Sequence, residues 1–398
     1  MRIGIFGGTF NPPHNGHVTI ARAAVTQLGL DKLLIVPACV PPHKPLPSGV
    51  TAGQRYDMAA LMAAPVGRCA EASDMELHRT GKSYTSDTLV QLQQEYPDAE
   101  LWLLMGSDMF LSLHTWHEPE VICRIARIAA FRRVEEDIRA AMERQKQRLE
   151  QRYQAQVTLL ENPELIELSS TDVRAALAEG QGSGLVPAAV WGYIQREHLY
   201  GTATDLKHLT PDALRPIAMS YLKPKRMTHV LGTEATAVKL AKQYGADETE
   251  ARVAALLHDC TKKLDMDQQL ALCRQYGLEL DELEQQALKL LHSRTGAAIA
   301  RDVFGVNDAV YSAIRFHTTG KPHMTLLEKI LYLADYMEPT RDFDGVEHLR
   351  EVVRQDLDQG LLLGLTMTIE EMREMGNPIH HLTLDAQRYL IEQGVKQV

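Results

Sequence analysis

The hydrophobic pattern of this chain changes period once, and no fold of a single class accommodates both halves. Up to about residue 200, strand-like runs alternate with helical ones. RIGIFG is followed by HVTIARAAVTQLG, which closes at Gly29, and KLLIVPA by AGQRYDMAALMAA; DTLVQLQQEYP, AELWLLMGSD and RIARIAAFRR continue the series. Such alternation predicts a parallel sheet with helices on both faces. From about residue 213 the strand signals vanish. EATAVKLAKQYG, ETEARVAALLHDCTKKL, MDQQLALCRQYG, DELEQQALKLLHSRTGAAIARDVFG and LLEKILYLADYME all carry helical periodicity, several ending in glycine. An α/β domain over residues 1–202 is therefore expected to precede an all-α helical bundle over residues 203–398, entered through the polar stretch TATDLKHLTPDALRP. Within the first half, residues 134–155 read as a highly charged, solvated helix with i,i+4 pairing.

At 398 residues the chain is long enough for two cores. Its net charge of −10 argues against general nucleic-acid binding, which uses a basic face, but leaves room for small anions in a locally positive pocket. Cys39, Cys69, Cys123, Cys260 and Cys273 are scattered without a CxxC pair. That fits mostly buried thiols in a reducing compartment and neither a disulfide frame nor a thiolate zinc site. The sequence enters IGIFGG directly, too short and glycine-rich a start for a signal peptide, and no apolar run approaches membrane-spanning length. A cytoplasmic location is expected, with neither membrane nor nucleic-acid partners.

In GGTFNPPHNGHVT, residues 7–19, two glycines after a strand let the backbone turn and approach a ligand closely. Pro12 and Pro13 delay the next helix, so His14 and His17 fall on one side of its start. A helix start offers unpaired N–H groups and partial positive charge to phosphate, and two imidazoles add donors. The motif is neither a Walker loop nor GxGxxG, which excludes ordinary kinase and dehydrogenase readings. A second element, ELSSTDVRAAL, places Ser169, Ser170 and Thr171 before a helix with Asp172 at capping-box spacing. Capping explains one serine and the aspartate. Three hydroxyls followed by Arg174 suit phosphate as well.

GGTFNPPHNGH and SSTDVR resemble the HxGH and SSTxxR motifs of nucleotidyltransferases, specifically the nicotinate-nucleotide adenylyltransferase family. The resemblance extends over residues 1 to about 200 through VPACVPPHK, GKSYTSDTL, LMGSD, HTW and VPAAVWGYIQREHLYG. It implies a Rossmann-like domain that transfers AMP from ATP to nicotinate mononucleotide, giving deamido-NAD and pyrophosphate. On this resemblance His14 and His17 hold ATP phosphates, with Gly8, Thr9, Phe10, Ser170, Thr171 and Arg174 around them and Mg²⁺ bridging the polyphosphate. His43 and Lys44 of PPHK are further candidate phosphate contacts. Tyr84, Thr85 and Trp116 line the pyridine pocket, with Trp116 stacked on the ring, and Asp108 faces the adenosine side. The long charged segment 134–155 departs from the family pattern and bears on subunit contacts, a homo-oligomer being one expectation. The acceptor's phosphate is already anionic, so positioning and charge neutralisation suffice without a protein base.

In the helical half the candidate ligands are His229, His258, Asp259, His292, His317 and Asp335. An adjacent His-Asp in the apolar run VAALLHDCTKKL needs partners, and the others lie on separate helices, as bundle metal sites require. Nitrogen and oxygen ligands without thiolate favour Fe, Mn or Mg over structural zinc. The order H…HD…H…H…D resembles the HD phosphohydrolase superfamily. The flanking KRMTHVLGTEATAVKLAKQYG, AALLHDCTKK, LHSRTGA and FHTTGKPHMTLLEKILYLADYMEPTRDF are similar to bacterial HD-domain hydrolases that split diadenosine tetraphosphate into two ADP. That resemblance implies a dinuclear Fe or Mn site in which Asp259 bridges, with Lys262 and Arg341 on substrate phosphate. Nicotinamide mononucleotide or phosphopantetheine as the first acceptor remains open. So does another nucleotide substrate, or a non-catalytic sensor, for the second half.

Overall fold

Six short runs rich in Ile, Leu, Val and Ala join into one sheet in the computed structural model, which describes residues 1–41, 49–131, 136–161 and 168–396. The strands are β1 (Arg2–Gly8), β2 (Lys32–Pro37), β3 (Ala70–Ala72), β4 (Glu100–Met105), β5 (Ala126–Phe131) and β6 (Val157–Leu160). Their order is β3-β2-β1-β4-β5-β6 and every pairing is parallel, with Ile5 beside Leu34 on one side and Leu103 on the other. Strands buried on both faces read as continuous apolar runs, which is why β1, β2, β4 and β5 are visible in the sequence. β3 and β6 escape it because they are short edge strands of three and four residues. Flanking helices bury the faces. Ile3, Ile5, Leu34 and Leu103 pack with Leu89, Phe110 and Met142 in one core.

The charged helix Glu136–Tyr153 is not solvated all round. Met142, Gln145 and Leu149 are buried along its inner stripe, at the three- and four-residue spacing of a packed helix face. Lys146 and Glu150 pair at 3.8 Å with i,i+4 spacing.

Backbone contacts divide the chain into two units, Met1–Ala203 and Thr204–Val398. Among the described residues the second unit has helices and no strands, and five of its helices contain a candidate site residue or end on one: Pro224–Tyr244, Glu248–Leu257, Leu288–Phe304, Asp308–Phe316 and Leu326–Met337. The periodicity of VAALLHDCTKKL predicts one continuous helix, but the helix ends at Leu257. Tertiary contacts hold the segment that follows. The Thr261 hydroxyl donates to the His292 carbonyl at 3.0 Å, and Gln269 Nε2 donates to the Thr261 carbonyl at 2.7 Å. Among the described residues no helix is long and apolar enough to cross a membrane.

Candidate active sites

The turn after β1 lies at the carboxyl edge of the sheet, where strand order reverses and open α/β sheets hold their ligands. Gly8 lets Phe10 fold back: a Cβ on Gly8 would lie 3.1 Å from that ring. Phe10 adopts a φ of 48° and buries its ring 5.5 Å from Phe6 and 5.2 Å from His17. Its side chain is thus a wall under the histidines, and only its main chain is left for a ligand. His14 is the N-cap of the helix Asn15–Leu28 and His17 lies in its first turn, the two rings 3.8 Å apart. The His14 N–H donates to His17 Nδ1 at 3.1 Å. That fixes Nδ1 as acceptor, so the neutral His17 ring carries its proton on Nε2 and offers it as a donor.

The second segment closes on the same turn. Ser169 caps the helix Ser170–Ala178 in a capping box with Asp172. Ser170 Oγ donates to the Pro12 carbonyl at 3.1 Å, and Arg174 donates to the Asn11 carbonyl at 2.6 Å and to Thr171 Oγ1 at 3.1 Å. Thr9, His14, His17, Ser170, Thr171 and Arg174 therefore surround one turn. Burial drives His14 down from 6.5 to about 4 despite Asp172, and burial beside His14 pushes His17 well below the usual imidazole range. Both rings are neutral at pH 7 in the free protein. Between 6.5 and about 4 the unfolded chain takes a proton on His14 that the folded chain refuses. Stability is therefore full above 6.5 and falls as pH drops, by on the order of 3 kcal/mol from this residue. Melting temperatures measured from pH 7 to 4.5 should fall less steeply in His14→Gln; parallel curves would refute the assignment.

Asp108 is exposed in the first turn of the helix Ser107–Ser112, directly after β4. Tyr84 caps the helix Thr85–Glu95 and stacks on His117 with centroids 4.2 Å apart. Trp116 is half-buried against the core, its indole N–H donating to Ser112 Oγ at 3.3 Å. His43 and Lys44 lie outside the described residues.

In the second unit the six candidate ligands converge. Asp259 is the centre. Its Oδ2 lies 3.5 Å from His258 Nε2 and 3.9 Å from His229 Nε2, while its Oδ1 lies 3.2 Å from His292 Nε2 and 4.0 Å from His317 Nε2. Asp335 Oδ1 sits 2.9 Å from His229 Nε2 and 3.7 Å from His258 Nε2. Because His258 is the C-cap of its helix, both it and Asp259 reach the site without diverging as mid-helix neighbours would. His258 Nδ1 donates to the Ala255 carbonyl at 2.6 Å and His317 Nδ1 to the Ile314 carbonyl at 2.7 Å, which turns each Nε2 lone pair inward. His258 Nε2 and Asp259 Oδ1 are buried and make no hydrogen bond. Burial lowers His258 and His317, keeping both neutral. Burial opposes charge on Asp259, yet His258, His292 and Lys262 hold its carboxyl well below the usual range. Imidazole nitrogens and a carboxylate with one oxygen toward each of two ligand sets are a donor set that would hold metal ions, with His258, Asp259 and their neighbours as the ligands.

Residues 5–176 match the cytidylyltransferase-like family and residues 226–340 the HD domain family. A probable nicotinate-nucleotide adenylyltransferase from Neisseria meningitidis is 39% identical over 201 residues, spanning 50% of this chain and 98% of that protein. The symmetrical bis(5'-nucleosyl)-tetraphosphatase of Halalkalibacterium halodurans is 40% identical over 177 residues, spanning 43% of this chain and 91% of that protein. The chain belongs to the nicotinate-nucleotide adenylyltransferases in its first half and to the HD-domain hydrolases in its second. A solved Clostridium acetobutylicum protein, described as a predicted HD superfamily hydrolase involved in NAD metabolism, is 41% identical with a TM-score of 0.45, covering 46% of this chain and 98% of that one.

Sequence reasoning missed several residues in both halves. In the HD hydrolase half, Arg226 Nε donates to Asp259 Oδ2 at 2.5 Å, and Glu338 Oε1 accepts from His229 Nδ1 at 3.0 Å. Each sits three residues from a candidate ligand, Arg226 from His229 and Glu338 from Asp335, and that helical spacing is the signal that would find them. Lys262 Nζ rests 3.0 Å from His292 Nε2, and Arg341 Nη2 donates to Asp335 Oδ1 at 2.9 Å. Glu338 is fully buried, and a side chain on Gly232 would collide with its carboxylate. Glu338→Gln should weaken metal binding by about 10- to 100-fold, the usual scale for a group that orients a ligating histidine. Titration calorimetry checks this, and unchanged affinity would remove Glu338 from that role. In the adenylyltransferase half the missed residues are His117, Gln145 and Arg55. Gln145 donates to the Phe110 carbonyl and to His114 Nδ1, both at 3.1 Å, and so fixes the short turn leading to Trp116.

Proposed function

We propose that the first unit transfers AMP from Mg²⁺–ATP to nicotinate mononucleotide and that the second hydrolyses diadenosine tetraphosphate to two ADP. The observation that carries the first reading is the cluster of His14, His17 and Arg174 on one turn, between two helix N-termini at the carboxyl edge of β1. An acceptor phosphate oxygen forms the new bond to the α-phosphorus as the bond to pyrophosphate breaks. His17 Nε2–H, the Arg174 guanidinium and the helix-start amides neutralise the charge that moves onto the leaving group. Tyr84 and Thr85, at the start of an 11-residue helix, offer main-chain N–H groups to the pyridine carboxylate. An anionic acid is favoured there over a neutral amide. Measured side by side, nicotinate mononucleotide should exceed the amide in kcat/KM by more than about tenfold, the worth of one charge-assisted hydrogen bond. Equal values would sink the acid assignment.

For the second unit the carrying observation is Asp259 with its two oxygens divided between His258 and His229 on one side and His292 and His317 on the other. His229, His258, Asp259, His292, His317 and Asp335 would hold two metal ions, which supply Lewis acidity and an activated water at neutral pH. Lys262, Arg341 and Arg226 stand around this centre as cations for the polyphosphate. The test is to incubate the full chain, loaded separately with Fe²⁺, Mn²⁺ or Mg²⁺, with diadenosine tetraphosphate and resolve the nucleotides by anion exchange. ADP as sole product supports symmetrical cleavage. ATP plus AMP, or no product with any metal, overturns it.

A further inference from the structure

Thr51 caps the helix Ala52–Val66, and Arg55, one turn in, is fully buried. Its Nη1 donates to the Thr9 carbonyl at 3.0 Å and the Ala38 carbonyl at 2.6 Å, and its Nη2 donates to the Cys39 carbonyl at 3.0 Å. All three partners are carbonyls, and among the described residues no carboxylate offsets the charge. Burying a guanidinium without a counter-ion is unfavourable, and an apolar side chain would fill the same space at lower cost. Packing alone therefore does not account for it.

What the three carbonyls share is their place. Thr9 opens the turn that ends in His14 and His17, while Ala38 and Cys39 follow β2 directly. The second segment continues to the acceptor side. The buried Ser83 Oγ accepts from Cys39 N at 3.1 Å and from Val40 N at 3.3 Å, and Ser83 N donates to the Val40 carbonyl at 2.9 Å. Tyr84 and Thr85 are the next two residues. A path of hydrogen bonds and main-chain links thus runs from the ATP turn through Arg55 and Cys39 to Ser83 and the start of the Tyr84 helix. Its only side chains are one forked guanidinium and one hydroxyl.

Resting on the adenylyl-transfer reading, we propose that Arg55 is a positioning residue of that reaction: its guanidinium fixes the separation between the ATP turn and the acceptor pocket, and Ser83 passes that register to Tyr84 and Thr85. In-line displacement between two bound substrates is steeply sensitive to this separation, about 100-fold in rate for a 1 Å error. The guanidinium touches neither reacting atom. It acts through the backbone of both segments, and its planar fork matches carbonyls from two strand ends as an ammonium does not.

The test is steady-state kinetics of the full chain with Mg²⁺–ATP and nicotinate mononucleotide, for wild type, Arg55→Lys, Ser83→Ala and the double variant, each with its melting temperature. Arg55→Lys keeps the charge and loses the fork. It should lower kcat by about 100-fold while each KM stays within about threefold. Ser83→Ala should lower kcat by about tenfold with the same split, and the double variant should fall little below Arg55→Lys, because both act on one path. Wild-type kcat in Arg55→Lys, a loss confined to the KM of one substrate, or fully multiplicative losses that follow the melting temperatures would overturn the proposal. Should Arg55→Lys not fold, Ser83→Ala decides alone: lowered kcat with unchanged KM supports the path, and wild-type kcat refutes it. A wild-type chain without transferase activity overturns the transfer reading and this proposal together, whereas active wild type with indifferent Arg55 overturns the proposal only.

Discussion

The His258→Ala protein is expected to lose its bound metal and its phosphohydrolase activity together while adenylyl transfer continues unchanged. His258 is common to the two candidate ligand triads built around Asp259 and Asp335, one with His229 and Asp335 and the other with Asp259 and His317. Its Nε2 is buried and makes no hydrogen bond, so in the metal-free chain the ring carries an unsatisfied lone pair. Alanine removes that cost but also the buried ring and its hydrogen bond to the Ala255 carbonyl, so the metal-free variant must be compared with the metal-free parent by melting temperature. Addition of metal separates the two. A ligand at a thousand times its dissociation constant stabilises the folded chain by about 4 kcal/mol, an effect the variant should not show. Metal content per chain, thermal shift with Mn²⁺ or Fe²⁺, and nucleotide products are the three readouts. Parent-like metal content with parent-like hydrolysis in His258→Ala would remove this residue from the ligand set. A metal-free parent would favour the sensing role for the second half.

What was legible in the sequence follows from how local each determinant is. β1, β2, β4 and β5 are buried on both faces, so their apolar runs stand out without knowledge of partners. The turn GGTFNPPHNGH is equally local, since Gly8, the prolines and the two histidines act within one strand-to-helix connection. The candidate metal ligands could be gathered only because residue order and type match a known pattern; nothing in the periodicity of their helices brings His292 to Asp259. Arg55 stayed invisible for the opposite reason. It lies in an apolar helix where an arginine ordinarily reaches solvent, and its three carbonyl partners come from segments that meet only in the folded sheet. Gln145 was hidden by composition. Charges on the outer face of Glu136–Tyr153 outnumber its inner stripe of Met142, Gln145 and Leu149, so average polarity concealed a packed face.

His17→Ala should lower the kcat of adenylyl transfer by about 100- to 1000-fold, the range for removing one preorganised donor to developing charge. The donor is identified by its neighbour: with Nδ1 accepting the His14 N–H, only Nε2–H is left for a phosphate oxygen. Neutral charge in the free protein strengthens the argument. Burial holds both rings below their ordinary range, so His17 donates as the neutral ring from Nε2–H, and no fixed cation must be desolvated beforehand. His14→Ala should have a smaller effect, since His14 also acts through its main-chain N–H, which alanine retains. Loss of the His17 ring opens space beside Phe6 and Phe10, so the melting temperature must be followed with the kinetics. His17→Asn, which keeps a side-chain donor, should recover part of the rate if donation is the role. Near-parent turnover in a folded His17→Ala protein, or no difference between the alanine and asparagine variants, would refute donation from His17. The proposed diadenosine tetraphosphate hydrolysis serves as the internal control: its candidate ligand set lies wholly within residues 229–335, so it should be unaffected by any change at His17.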